Sequence, residues 1–228
     1  MIISVCKSDY FIDRSREVIL ACIAVNTEKT VEGNFYSPNF LDIFVLSTTA
    51  LEAFINERIA ISLEICKRRL ALNDPVNRNA IDDDNFHLRI LKKIKNKDLR
   101  TKYLKLPQLL WHTTFDNNVS PFRDFCFLVD IRNDIIHYKM PFYDEENLEP
   151  PWAKELFSKG LFLREPVIVP PEPLPNERKR IWIEEICTLE AAKWAHNTSC
   201  AMIKQFSKIS KGIIQQTIDD YSDYFVEL

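Results

Sequence analysis

The run FRDFCFLVDIRNDIIHYKM, Phe122 to Met140, decides how this chain folds. Its apolar residues do not alternate, so it is no half-buried strand. Wound at about 100° per residue, it places Phe125, Leu128, Val129, Ile135 and Ile136 within roughly 60° of Arg132. That is an amphipathic helix, opened by Ser120 and Pro121 and stopped by Pro141. Its last turns carry an arginine, an asparagine and a histidine, a combination with no packing advantage. Arg132 falls in the middle of the stripe expected to face the core. Asp130, Asn133 and His137 lie on an adjoining flank. Asn133 and His137 are one turn apart and can meet side by side, with Asp134 close to His137 as well.

Helical patterns extend outward from this segment in both directions. Residues 9–25, DYFIDRSREVILACIAV, form a first amphipathic helix, and residues 40–70 form a long second one after Ser37 and Pro38. The CKRR near the end of the second suits the negative pole of its dipole. Residues 71–85 are polar and predict a loop, residues 86–106 a basic helical stretch, and Pro107 to Val119 a connection. A last long helix is expected from 177 to 209, with a short one after Gly212. Eight of the twelve prolines lie between Pro141 and Pro175, so residues 141–176 are expected to wrap as a Pro-rich insertion. Hydrophobic residues make up 46% of the 228-residue chain, enough for a buried core, and only three glycines argue against a turn-rich all-β fold. The expectation is one all-α domain over 1–228: a bundle of four to five main helices, built from about 9–140 and 177–209.

Composition also narrows the chemistry. The net charge of -3 excludes a polycation, so any nucleic-acid contact has to be a local patch. No Gly-rich phosphate loop is present. Cys6, Cys22, Cys66, Cys126, Cys187 and Cys200 are scattered in apolar surroundings without a CxxC pair, as expected of reduced thiols in the cytoplasm. His87, His112 and His196 are expected to be structural. The histidines do not cluster with the cysteines, so no metal site and no cofactor is expected. The N-terminus is too soon polar for a signal peptide, and no apolar stretch reaches membrane-spanning length.

Arg132 admits two roles. A buried guanidinium needs a carboxylate or a phosphate. Glu52 on the second helix shares an apolar face with Val45, Ile55, Ile59 and Leu63, with Asn56 one turn on, so Glu52 can close an internal ion pair with Arg132. Alternatively, Arg132, Asn133 and His137 converge at a cleft and grip a phosphodiester.

RNDIIHY, Arg132 to Tyr138, resembles the R-x4-6-H signature of HEPN domains (higher eukaryotes and prokaryotes nucleotide-binding). Arg132 and His137 match its two fixed positions, and Asn133 matches the polar residue often found beside the arginine. LSTTALEAFINERI, residues 46–59, is similar to the earlier helix of many HEPN proteins, with Glu52 and Asn56 where polar residues often stand. The resemblance implies a HEPN-like all-α bundle that usually dimerises, with the two motifs facing each other. It implies a metal-independent endoribonuclease: the RNA 2′-OH attacks the neighbouring phosphorus and leaves a 2′,3′-cyclic phosphate. His137 would be the general acid/base, Arg132 the phosphate clamp and Asn133 an orienting group. Glu52, Asn56, Asp134 and Tyr138 would support them from behind. Histidine moves protons near neutrality, and arginine's planar fork suits a developing dianion. A homodimer would supply a second His137, so that one acts as base and the other as acid. The resemblance further suggests a toxin or phage-defence effector, with RNA and an antitoxin or other regulatory protein as partners. The same motif also fits a non-catalytic HEPN module that binds RNA or dimerises, and the ion-pair role of Arg132 fits a helical structural or interaction protein. Tyr138 follows the histidine directly, whereas one toxin branch places a residue between them. The Pro-rich segment exceeds a minimal HEPN loop.

Residues 92–105, KKIKNKDLRTKYLK, hold seven basic residues and one acid. Such a run is a solvated helix face or a surface that tracks phosphates. For RNA, the contacts would come from Arg89, Lys92, Lys93, Lys95 and Arg100. ERKRIW, 177–182, is a second, shorter basic spot. Trp182 and Trp194 are expected in the core.

Overall fold

The computed structural model describes residues 7–25, 30–31, 34–35, 39–72, 78–137, 152–162, 183 and 186–215. Eight helices occur among them: α1 Lys7–Val25, α2 Phe40–Ala71, α3 Arg78–Ile94, α4 Leu99–Trp111, α5 Phe122–Ile136, α6 Ala153–Ser158, α7 Leu189–Ile209 and α8 Gly212–Gln215. The described β-structure is one antiparallel pair, β1 Thr30–Val31 with β2 Asn34–Phe35, in which Thr30 faces Phe35. The all-α expectation holds.

α2 is the axis of the bundle. It is apolar nearly all round, and a helix of that kind has to be covered on most sides. Helices α1, α3, α4, α5, α7 and α8 all pack on it. At 32 residues it is about 48 Å long, so different partners cover different stretches of it. α7 approaches through small residues, Ala191, Ala192, Ala195 and Ser199, and Ser199 Oγ donates to the Ser47 carbonyl at 3.0 Å. Phe206 of α7 gathers an aromatic cluster, with ring centroids 6.0 Å from Phe54, 5.4 Å from Tyr103 and 5.6 Å from Trp111. Tyr103 also lies 4.9 Å from Phe125, so α2, α4, α5 and α7 share one core. Full burial holds the Tyr103 phenol well above its ordinary range.

Several boundaries differ from the sequence expectation. The predicted loop at 71–85 contains the start of α3, which begins at Arg78. The basic stretch 86–106 is two helices, because Asp98 caps α4: its carboxylate accepts from Thr101 N at 2.9 Å and from Thr101 Oγ1. Those bonds hold the Asp98 carboxyl below its ordinary range. Pro107 lies inside α4 rather than in a connection, and the helix ends at His112 in the left-handed conformation. The last long helix starts at Leu189, not 177, because Thr188 is its cap, accepting from Ala191 N at 3.0 Å. The Pro-rich insertion contains α6. Ser37 and Pro38, ERKRIW with Trp182, and the VIVPPEPLP run lie outside the described residues. Of the cysteines, Cys22, Cys66, Cys187 and Cys200 are buried, and burial pushes the Cys66 thiol up to about 11. Among the described residues no helix is long and apolar enough to cross a membrane.

Candidate functional site

α5 packs its Phe125, Leu128, Val129 and Ile131 against α2 and α7. The core thins towards its C-terminal end, where Ile136 is 47% exposed. That overhang corrects the expected position of Arg132. By angle it continues the buried stripe, but one turn past Leu128 it is only half-buried. Arg132 Nη1 donates to Asn133 Oδ1 at 3.0 Å, and its buried Nε has no hydrogen-bond partner among the described residues. The guanidinium is thus aimed by a neutral amide, and no carboxylate among the described residues neutralises it.

His137 is the C-cap of α5 and is exposed; its N–H donates to the Asn133 carbonyl at 2.8 Å. Five residues of helix separate it from Arg132, about 140° around the axis and about 7.5 Å along it. Arg132 therefore sits on the shoulder of the core face and His137 on the outer face. Asn133 links the two positions, bonded to Arg132 and one turn before His137 on the same stripe.

That outer stripe runs Cys126, Asp130, Asn133, His137. Its first half meets α4: Arg100 donates to the Cys126 carbonyl and pairs with Asp130 at 2.6 Å. Burial raises the Cys126 thiol, with nearby Arg100 opposing the rise. Two residues on, Lys102 is 6% exposed and its Nζ donates to Asn56 Oδ1 on α2 at 2.7 Å. The first turn of α4 thereby bridges α2 and α5, and it carries the basic α3–α4 elbow to the stripe that ends in His137.

The ion pair between Glu52 and Arg132 does not form. Glu52 is exposed, on the narrow exposed stripe Glu52, Asn56, Ala60, which α4 reaches through the Lys102 bond to Asn56. The buried charge on α2 is Arg58 instead, 1% exposed, with its guanidinium 5.6 Å from the Phe54 ring centroid and 3.9 Å from the Glu57 carboxylate. Sequence could have found it, since Arg58 falls within about 20° of Leu51 on the helical wheel. Glu57 in turn accepts from Lys7 N at 2.6 Å and Ser8 Oγ at 3.1 Å, fixing the start of α1.

Asp134 does not support His137. Its carboxylate accepts from Trp152 Nε1 at 3.0 Å. Arg123 pairs with Glu155 at 2.9 Å and Lys159 with Asp124, so α6 lies as a strap along the flank of α5. Tyr138 lies outside the described residues. Arg89, Lys92, Lys93 and Lys95 are exposed and form no ion pair among the described residues, whereas Arg100 is committed to α5. His196 is a core histidine, with Nδ1 2.7 Å from Ser15 Oγ. Ser15 donates to the Ile12 carbonyl at 2.8 Å, so the imidazole donates to Ser15 through Nδ1. His87 Nδ1 bonds the Asp83 carbonyl at 2.7 Å. Among the described residues no three His, Cys, Asp or Glu side chains converge as a metal-ligand set.

The chain has no significant match among protein-family models, curated proteins or solved structures.

Proposed function

We propose that this chain is a HEPN-type, metal-independent endoribonuclease that cleaves RNA to a 2′,3′-cyclic phosphate. The observation that carries the proposal is the state of Arg132: a half-buried guanidinium with an unpartnered Nε, steered by Asn133, at the overhanging end of α5. No carboxylate among the described residues meets that charge, which leaves it open to an anion, and a phosphate oxygen fits the fork. His137 is exposed, and its ring, which makes no hydrogen bond among the described residues, supplies a group that takes and returns protons.

In the proposed reaction one imidazole takes the proton of the RNA 2′-OH, and the oxygen bonds to phosphorus. The bond to the 5′-oxygen breaks, and a second acid delivers a proton to that leaving oxygen. Arg132 holds the charge that builds on the phosphoryl oxygens between these events. Within one chain Arg132 and His137 point about 140° apart, so the second acid, or the whole pairing, comes from a second copy. The same separation favours the second reading, a non-catalytic HEPN module that binds RNA or dimerises.

The test is incubation of single-stranded RNA with the native chain, Arg132→Ala and His137→Ala. Cleavage is expected to fall about 100-fold or more in each variant, with helical content unchanged. Cleavage at the native rate in either variant removes the enzyme. RNA that is bound but never cut by the native chain leaves the binding module.

A further inference from the structure

An open groove of about 340 Å³ lies on the outer face of α3, lined by Asp82, Asn85, Phe86 and Arg89. These four are spaced i, i+3, i+4, i+7, one stripe of a helix whose opposite face buries Asp84, Ile90, Leu91 and Ile94. Phe86 is 38% exposed, and the Arg89 guanidinium lies 5.8 Å from its ring centroid. Lys92 and Lys93 continue the same stripe, about 9 to 10 Å beyond Phe86 along the axis.

A helix dipole accounts for the lysines at the end of α3, whereas Asp82 lies past its first turn, which holds no acid. It does not account for a partly exposed aromatic ring between Asp82 and the lysines, with an arginine beside it. We infer that this groove seats an unpaired nucleobase of single-stranded RNA, stacked on Phe86 and Arg89, with the adjoining phosphates on Lys92 and Lys93. Charge decides the orientation. Asp82 repels a phosphate but accepts from the amino and imino N–H groups on a base edge, and Asn85 both donates and accepts. The lysines repel nothing on RNA and attract its backbone. A duplex hides base faces and edges, so the groove selects unpaired strands. The elbow after Lys93 leads through Arg100 to Asp130, on the stripe that ends in His137, so a strand seated here extends towards the motif. The inference deepens the RNA reading above and rests on its nucleic-acid half, not on cleavage.

The experiment uses the full chain carrying His137→Ala, which keeps the probe intact, and a short fluorescent oligoadenylate RNA read by anisotropy. Phe86→Ala is expected to weaken binding about 5- to 150-fold. Phe86→Trp is expected to retain it, and its indole emission to be quenched by the RNA. An unlabelled RNA duplex of equal length is expected to compete poorly. Unchanged affinity in Phe86→Ala, failure of Phe86→Trp to retain it, equal competition by the duplex, or no binding by the parent each overturns the groove. Phe86 is on the surface, so the variants fold. A groove that binds RNA the native chain never cuts sinks the nuclease alone, and cutting with Phe86→Ala binding unchanged sinks the groove alone.

Discussion

Replacing Arg132 by alanine separates a scaffold charge from a working one. Were Arg132 half of an internal ion pair, its removal would strand a carboxylate and cost about 3–5 kcal/mol. Its surroundings give a different sum. The bond to Asn133 Oδ1 is a 3.0 Å, part-buried contact from a charged donor to a neutral amide, worth about 1.5 kcal/mol, the low end for a charged group because the site is half open to water. The half-buried stem loses a further ~1–2 kcal/mol of apolar contact. Against that, the variant no longer buries Nε without a partner, a relief of about 1–3 kcal/mol. The net change is expected between about 0.5 kcal/mol of gain and about 2.5 kcal/mol of loss. Urea unfolding followed by far-ultraviolet circular dichroism measures it. A loss of about 3 kcal/mol or more refutes the account, because it would mean the guanidinium has a buried anionic partner. Arg132→Lys is expected to keep the fold as well and to recover little cleavage, since an ammonium lacks the planar fork.

Two further predictions concern α4, which ties the basic elbow to the motif helix. Asp98→Ala removes the cap of α4 and is expected to cost about 1 kcal/mol in the same unfolding assay. The Asp98 carboxyl is held low in the folded chain, so its stabilisation is present above the unfolded carboxylate range and is lost as pH falls through its folded value. The stability difference between native chain and Asp98→Ala should accordingly shrink in acid and hold at neutral pH. Tyr103→Phe removes the hydroxyl that donates to the Leu51 carbonyl at 3.0 Å but keeps the ring contacts, and is expected to cost about 1 kcal/mol.

What the sequence disclosed follows from what periodicity can see. The wheel of α5 located the core through Phe125, Leu128 and Val129, because those residues sit where the bundle is thick. It misplaced Arg132 and Ile136, because an angle says nothing about where along its length a helix leaves the core. Glu52 failed for a related reason. α2 is covered by six other helices that take over from one another along it, so one wheel cannot describe its buried face. Arg58 shows the converse: the angular test would have placed it in the core. The division of residues 86–106 into two helices was written in Asp98 and Thr101, a cap and its donor within one turn. Arg100 read as a free cation because its partner, Asp130, is thirty residues away in sequence and meets it only when α4 docks on α5. Asp134, three residues from His137, is likewise drawn off by Trp152 from the Pro-rich segment.

The most direct test is the chemistry of the RNA ends after digestion with a chelator present. The account predicts a 2′,3′-cyclic phosphate on one fragment and a free 5′-hydroxyl on the other. It predicts that both disappear in His137→Ala, and that mixing His137→Ala with Arg132→Ala restores part of the cleavage if two copies share the site. Products bearing 5′-phosphate and 3′-hydroxyl ends, or cleavage only when a divalent ion is added back, would contradict it.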